Sequence, residues 1–170
     1  MKKTLLAVLL SITATSTFAE MDHAKMDHSK MDHSKMDHST MNMMEGMSAV
    51  GMPAMGAKPD KVVHVLLNDD MTITFKKEVK IEPNDVVQFV VMNLGKQEHE
   101  FAIGSEQEQL AHREMMKNMS QHAHDSGNAV TVQPGKAKQL LWHFHGESEV
   151  VFACNIPEHA ESGMVKKISL

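Results

Sequence analysis

The sequence predicts an all-β fold, a sandwich of short antiparallel strands carrying one inserted helix and preceded by a tail with no core of its own. Three observations carry this expectation. From Lys61 to Leu170 apolar residues recur in short, often alternating runs set apart by turn signals such as Pro83-Asn84 and Pro134-Gly135. Ser105 to Ala129 breaks that pattern with a polar, helix-spaced stretch. Residues 20–60 hold Val50 as their one β-branched apolar residue, with no Leu, Ile or aromatic, too little to offset the entropy of ordering them.

At the N-terminus, Lys2 and Lys3 precede an apolar run from Leu5 to Ile12, and Thr17-Phe18-Ala19 ends in a small residue. This is the pattern of a secretory signal peptide, residues 1–19, cleaved after Ala19. The run is too short to span a bilayer, and no other segment is long and apolar enough to do so. The full chain of 170 residues has 17 Lys and Arg against 22 Asp and Glu, net −5, and loses two lysines with the signal. An acidic chain argues against nucleic acid as partner. One Cys excludes an internal disulfide and any multi-cysteine zinc or iron–sulfur site. In an oxidising compartment that thiol is free, bridged to another chain or bound to metal.

The tail, residues 20–60, repeats every five residues as MDHAK, MDHSK, MDHSK, MDHST. Met21, Met26, Met31 and Met36 recur with His23, His28, His33 and His38, and a run of further methionines follows to Met55. A period of five matches neither helix nor strand, so the repeat is not a packing pattern. The alternative is a solvated low-complexity linker, but 17 Met and 12 His in one chain favour metal chemistry. Thioethers suit Cu(I) and imidazoles suit both copper oxidation states, so the tail is expected to be disordered alone and to gather copper ions weakly.

The folded part, residues 61–170, begins with apolar Val62 to Leu67, then Met71 to Phe75 and Val79 to Ile81. Asp85 to Asn93 is a strong strand with Val87, Phe89 and Val91 on one face; Phe101 to Ile103 and Val130 to Val132 are shorter. Gln139 to Phe144 places Leu140, Trp142 and Phe144 on one face and His143 on the other, with His145 continuing the polar parity toward solvent. Val150, Phe152 and Cys154 share a face, and Met164 to Leu170 closes the chain. Between them, Ser105-Glu106-Gln107-Glu108 fits a helix capping box. His112, Met115, Met116, Met119 and His122 then follow at helical spacing, and Leu110, Met115, Met116 and Met119 are expected to pack the helix on the sandwich. A second copper-handling patch of Met115, Met119, His122 and His124 is the alternative.

The C-terminal loop carries the sharpest chemical signal. Cys154, His159 and Met164 stand at five-residue steps, and Asn93-Leu-Gly-Lys-Gln-Glu-His99-Glu-Phe101 places a second His at the start of a strand. Two imidazoles, one thiolate and one thioether form the donor set of a blue-copper centre, a trigonal His₂Cys plane with a weak axial Met. The motifs N-x-G-x-x-x-H-E-F and C-x₄-H-x₄-M resemble those of the cupredoxins, and the Met/His-rich extension is similar to that of the periplasmic copper-tolerance cupredoxins of the CopI type. The resemblance covers Lys61 to Leu170. It implies a Greek-key β-sandwich with one type 1 copper on His99, Cys154, His159 and Met164. One position departs from it: many relatives place Asn or Ser after the first ligand His, where this chain has Glu100, leaving the Glu100 backbone N–H as the donor to the Cys sulfur. His122-x-His124 and His143-x-His145 resemble the H-x-H pairs of multicopper oxidases, which need several such domains to build a trinuclear site.

The leading expectation is therefore a non-enzymatic periplasmic copper-tolerance protein that binds, buffers or redox-cycles copper. The alternative is a dedicated electron carrier serving a redox partner protein, which would show an apolar patch at Ile156, Pro157 and Ala160 beside an exposed ligand His and would need no ligand-rich tail.

Overall fold

The computed structural model describes residues 46–118 and 125–170. The export signal, the repeats from Met21 to His38, and Met119, His122 and His124 lie outside the described residues, and so do the expectations placed on them.

Among the described residues nine strands form two sheets. The first holds β1 (Gly51–Pro53), β7 (Ala137–Phe144), β4 (Val86–Asn93), β2 (Lys61–Asn68) and β3 (Thr72–Phe75) in that order. The second holds β6 (Ala129–Val132), β5 (His99–Gly104), β8 (Glu149–Ala153) and β9 (Val165–Ser169). The chain crosses from sheet to sheet between β4 and β5, β6 and β7, and β7 and β8, so β4 pairs β7 in one layer while β5 pairs β6 in the other. This is the expected β-sandwich with one inserted helix, α1 (Glu106–Lys117).

The alternation read from the sequence decides which face is inward. Val63, Val65, Leu67, Val87, Phe89, Val91, Trp142 and Phe144 from the first sheet meet Phe101, Ile103, Val130, Val132, Val150 and Phe152 from the second, all buried. With so few aromatics, the ring cluster is compact: Phe89 lies 5.3 Å from Phe101, 5.6 Å from Phe152 and 6.1 Å from Phe144.

Four expectations are corrected. The strands are not uniformly antiparallel, since β2 pairs β4 in parallel. The β2–β3 hairpin turns outward and the chain must then pass from one side of β2 to the other before β4. Val79 to Ile81 forms no strand for the same reason: it lies in that crossing, where Ile81 is buried as core filling. Ordered chain starts before Lys61. Val50 is wholly buried, β1 pairs β7, and Ser48 Oγ donates to Glu108 Oε2 at 2.5 Å while Ala49 N–H donates to Glu108 Oε1 at 2.8 Å. The one β-branched apolar residue of residues 20–60 is thus the point where the chain enters the core. Finally, α1 packs by Met116 as expected but otherwise by a different stripe. Met116 and Gln109 are buried, whereas Leu110 and Met115 are exposed at 53% and 45%. The capping box forms as read, Ser105 Oγ accepting from Glu108 N–H and the Glu108 carboxylate from Ser105 N–H.

The helix matters because of what it covers. Strand β5 is buried on both faces: Phe101 and Ile103 point into the sandwich, and Glu100 and Ala102 point outward, under α1. Gln109 fastens the helix there by donating to the carbonyls of Ala102 (3.1 Å) and Val151 (2.9 Å). An outward position that an open sheet would leave in water is thereby sealed.

Candidate metal centre

Three side chains reach one point from different elements. His99 opens β5, Cys154 follows the last residue of β8, and His159 stands in the loop from β8 to β9. Their donor atoms lie within 4.8 Å of one another, and all three residues are buried. His99 Nδ1 is 3.3 Å from His159 Nδ1, which is 3.3 Å from Cys154 Sγ. Two nitrogens each about 2 Å from a shared ion, set 120° apart, would stand about 3.5 Å from one another. The two nitrogens are therefore spaced as ligands of one ion, with the sulfur within 4.8 Å of both. Met164, fully buried, ends the same loop. Its N–H donates to the His159 carbonyl and its carbonyl accepts from Cys154 N–H, both at 3.0 Å, so the loop brings the fourth candidate back against the other two.

The loop is a series of tight turns. Ile156 O accepts from His159 N–H at 3.1 Å, and Glu158 O from Ser162 N–H at 3.0 Å. Glu158 takes a φ of 75°, in the left-handed region that costs a non-glycine residue energy. That strain directly precedes His159.

Around the donors, two groups fix orientation. Asp69, in the β2–β3 turn, contacts His99 Nε2 through Oδ1 at 3.1 Å, which leaves Nδ1 for the metal. The same carboxylate accepts from Lys96 N–H at 2.7 Å and Gln97 N–H at 3.2 Å, and those bonds, the first foremost, hold Asp69 below the usual carboxylate range against some desolvation. A Cβ at Gly95 would collide with this carboxylate, so the glycine of the N-x-G motif makes room for it. Asn93 ties the strand end by accepting from Gly95 N–H and donating to the carbonyls of Gln97 and Val132. The second group is the Glu100 backbone, whose N–H donates to Cys154 Sγ at 3.2 Å, as read from the sequence.

Burial favours the neutral forms of Cys154 and His159. Burial pushes the Cys154 thiol up to about 12, opposed by N–H groups of Glu100 and Ile156 and reinforced by the Glu100 carboxyl. Burial, then the neighbouring His99, lowers His159. A thiolate is stable here only beside a cation, and a bound cation would displace the thiol proton.

Beneath the site lies a buried polar network that sequence reasoning missed. Glu100 is wholly buried, and its carboxyl is pushed up to about 7, chiefly by desolvation. Its Oε2 accepts from Asn155 N–H at 3.1 Å, and its Oε1 stands 3.4 Å from His112 Nε2. The Asn155 amide donates to Gln109 Oε1 at 2.7 Å and accepts from Arg113 Nε at 3.2 Å. Gln109, His112, Arg113 and Met116 are one helical face, so α1 rests its inner stripe on the two residues that adjoin His99 and Cys154. The capping box and the 3–4 spacing announce the helix. No feature of the sequence singles out Asp69, Asn155 or Arg113.

Of the apolar patch expected of a carrier, Ile156 and Ala160 are buried and Pro157 is half-buried. His143 and His145, expected in solvent, are half-buried with their rings 5.2 Å apart. Met115 is exposed, and Met119, His122 and His124, the other members of the second patch expected with it, lie outside the described residues.

No family model matches the chain. It is 67% identical over 170 residues, 99% of each chain, to "Copper-resistant cuproprotein CopI" of Vibrio cholerae serotype O1. The proteins of that name from Rubrivivax gelatinosus and Pseudomonas aeruginosa are 34% and 30% identical, over 69% and 72% of this chain and 71% and 82% of theirs. Among solved structures, auracyanin B matches with a TM-score of 0.56 at 16% identity, over 71% of this chain and 95% of that one. The reduced auracyanin of Roseiflexus castenholzii matches at 0.53 and 18%, over 67% and 98%. At such identities these structures speak for the fold alone, a cupredoxin sandwich.

Proposed function

Because the chain belongs to the family of CopI copper-resistant cuproproteins, we propose that it binds copper in the service of copper tolerance, at a type 1 centre formed by His99, Cys154, His159 and Met164. The observation that carries this is the convergence of two imidazole Nδ1 atoms and one thiol sulfur, buried, with His159 Nδ1 3.3 Å from each of the other two. A copper ion held there would supply one-electron chemistry between Cu(I) and Cu(II). The chain's own residues do the rest. Asp69 fixes the ring of His99, the Glu100 N–H steadies the sulfur, and the turns from Ile156 to Met164 hold His159 against both. Rigid donors on a sandwich that folds around an apolar core need little rearrangement when the charge of the ion changes.

Residues 1–19 direct export to the periplasm in this proposal. The Met/His repeats from Met21 to His38 add weaker, soft-metal sites that take up ions when copper is abundant; their support is the sequence repeat. Dedicated electron transfer to a partner protein is the rival function, and the burial of Ile156 and Ala160 leaves it little of the docking patch it would use.

The test has two parts. Copper(II)-loaded protein should show intense thiolate-to-copper visible absorption, and Cys154→Ser should lose it while staying folded. A strain lacking the protein should grow poorly under copper stress, restored by the wild-type chain and not by Cys154→Ser. A Ser variant that kept the band would overturn the ligand set, and full tolerance without the protein would move the function to electron transfer.

A further inference from the structure

We propose a second soft-metal site on the first sheet, formed by His143, His145 and Met52 and suited to Cu(I). Trp142 and Phe144 point into the core and are wholly buried, which turns His143 to the opposite face of β7, with His145 directly after the strand's last residue. Two residues apart in sequence, their rings stand 5.2 Å apart and tilted by 57°. Met52 is the register partner of His143 across the β1–β7 ladder, so its side chain shares that face. One feature points to a ligand: His145 Nε2 is buried and has no hydrogen-bond partner among the described residues. An unpartnered buried imidazole nitrogen is destabilising, and a metal ion would convert it into a donor in use.

The backbone holds the three in place. His145 N–H donates to Val50 O at 3.3 Å, and Glu147 N–H to Ala49 O at 2.9 Å. Gly146, at φ 91°, sits where a Cβ would strike that same Ala49 carbonyl. The entry of the chain into the core at Val50 is thus also what clamps Met52 beside the histidine pair. Two imidazoles and a thioether make a three-donor set of the softness Cu(I) prefers. The site lies on the sheet that does not carry His99, Cys154 or His159 and does not depend on them.

The experiment uses the full-length mature chain with its type 1 ligands intact. In an Ag(I) titration followed by NMR, the ring signals of His143 and His145 and the methyl signal of Met52 should move together with a common midpoint. In a Cu(I) titration against bicinchoninate, the double variant His143→Gln/His145→Gln should bind one ion fewer per chain than wild type while keeping the visible band of the Cu(II) form. Stationary ring and methyl signals at saturating Ag(I) would overturn the site, as would equal Cu(I) stoichiometry in a variant with an intact band. Should the variant lose the band, and with it its fold, the titration of the unmodified protein decides alone.

Discussion

Replacing Glu100 by Gln tests the structure at its least expected point. Burial under α1 raises the folded-state carboxyl from 4.5 to about 7. The folded protein therefore holds a proton that the unfolded chain gives up at lower pH. For a group of this kind stability is full below the unfolded value and drains away as pH rises to the folded one. Each pH unit between the two is worth about 1.4 kcal/mol, so copper-free wild type should lose about 3 kcal/mol between pH 4.5 and 7 through this residue. Gln keeps an oxygen for the Asn155 N–H and carries no charge, so its stability should not show that loss. Urea unfolding of the copper-free proteins, followed by the fluorescence of buried Trp142, reads the difference at pH 5 and pH 8. The variant should gain about 3 kcal/mol on wild type between the two. One group works the other way: an imidazolium at His112, 3.4 Å from Oε1, would favour the carboxylate. An unchanged difference between the two pH values would mean that this charge cancels the desolvation, and would refute the neutral-carboxyl account.

Three other outcomes follow from the same geometry. Asp69→Asn should retain the visible band but bind copper about 10- to 100-fold more weakly, because the ring of His99 loses its carboxylate partner; unchanged affinity by competition titration would remove Asp69 from the site. Copper uptake at pH 8 should release the Cys154 proton, since burial holds the thiol at about 12 in the metal-free protein; a pH-stat experiment with no proton release would show that the thiolate is already formed. Met164→Leu should keep copper and raise the reduction potential, because an axial donor that favours Cu(II) is lost; loss of the metal in dialysis would make Met164 an essential ligand.

How much of the fold could be read from the chain depends on which force decides each part. The strands whose inner faces are Val87, Phe89 and Val91, or Leu140, Trp142 and Phe144, are written as period-two patterns because burial of one face is a local requirement. The crossing of Val79 to Ile81 looked like another strand, since an apolar residue that fills the end of a core and one that fills its middle have the same hydropathy. Helix α1 was legible at its start, where the capping box is a local interaction. Its packing face was not: Gln109 is buried because it meets the carbonyls of Ala102 and Val151, and a Leu110–Met115 stripe would have offered those carbonyls no donor. Likewise Val50 gave no pattern to read, being one apolar residue in a polar run.

The site divides along a related line. His99, Cys154, His159 and Met164 could be proposed from the sequence because metal affinity resides in the donor atom itself, and few residue types own such atoms; the structure brings the first three together. What holds them is chosen by topology instead. Any carboxylate delivered to His99 Nε2 would do, and the β2–β3 turn happens to deliver Asp69, within a run of Asn68, Asp69 and Asp70 that reads as ordinary turn composition. Glu100 shows the converse. Its type was legible, and so was its backbone N–H to the sulfur, but its charge state was not, because that is set by a helix inserted just downstream of β5. The inner stripe of α1 meets Glu100 and Asn155, the residues next to His99 and Cys154, so a change on the helix reaches both ligand-bearing backbones through two hydrogen-bonded neighbours. The inserted helix would therefore be part of the proposed metal centre's support, although it offers no donor to the His99–Cys154–His159 cluster.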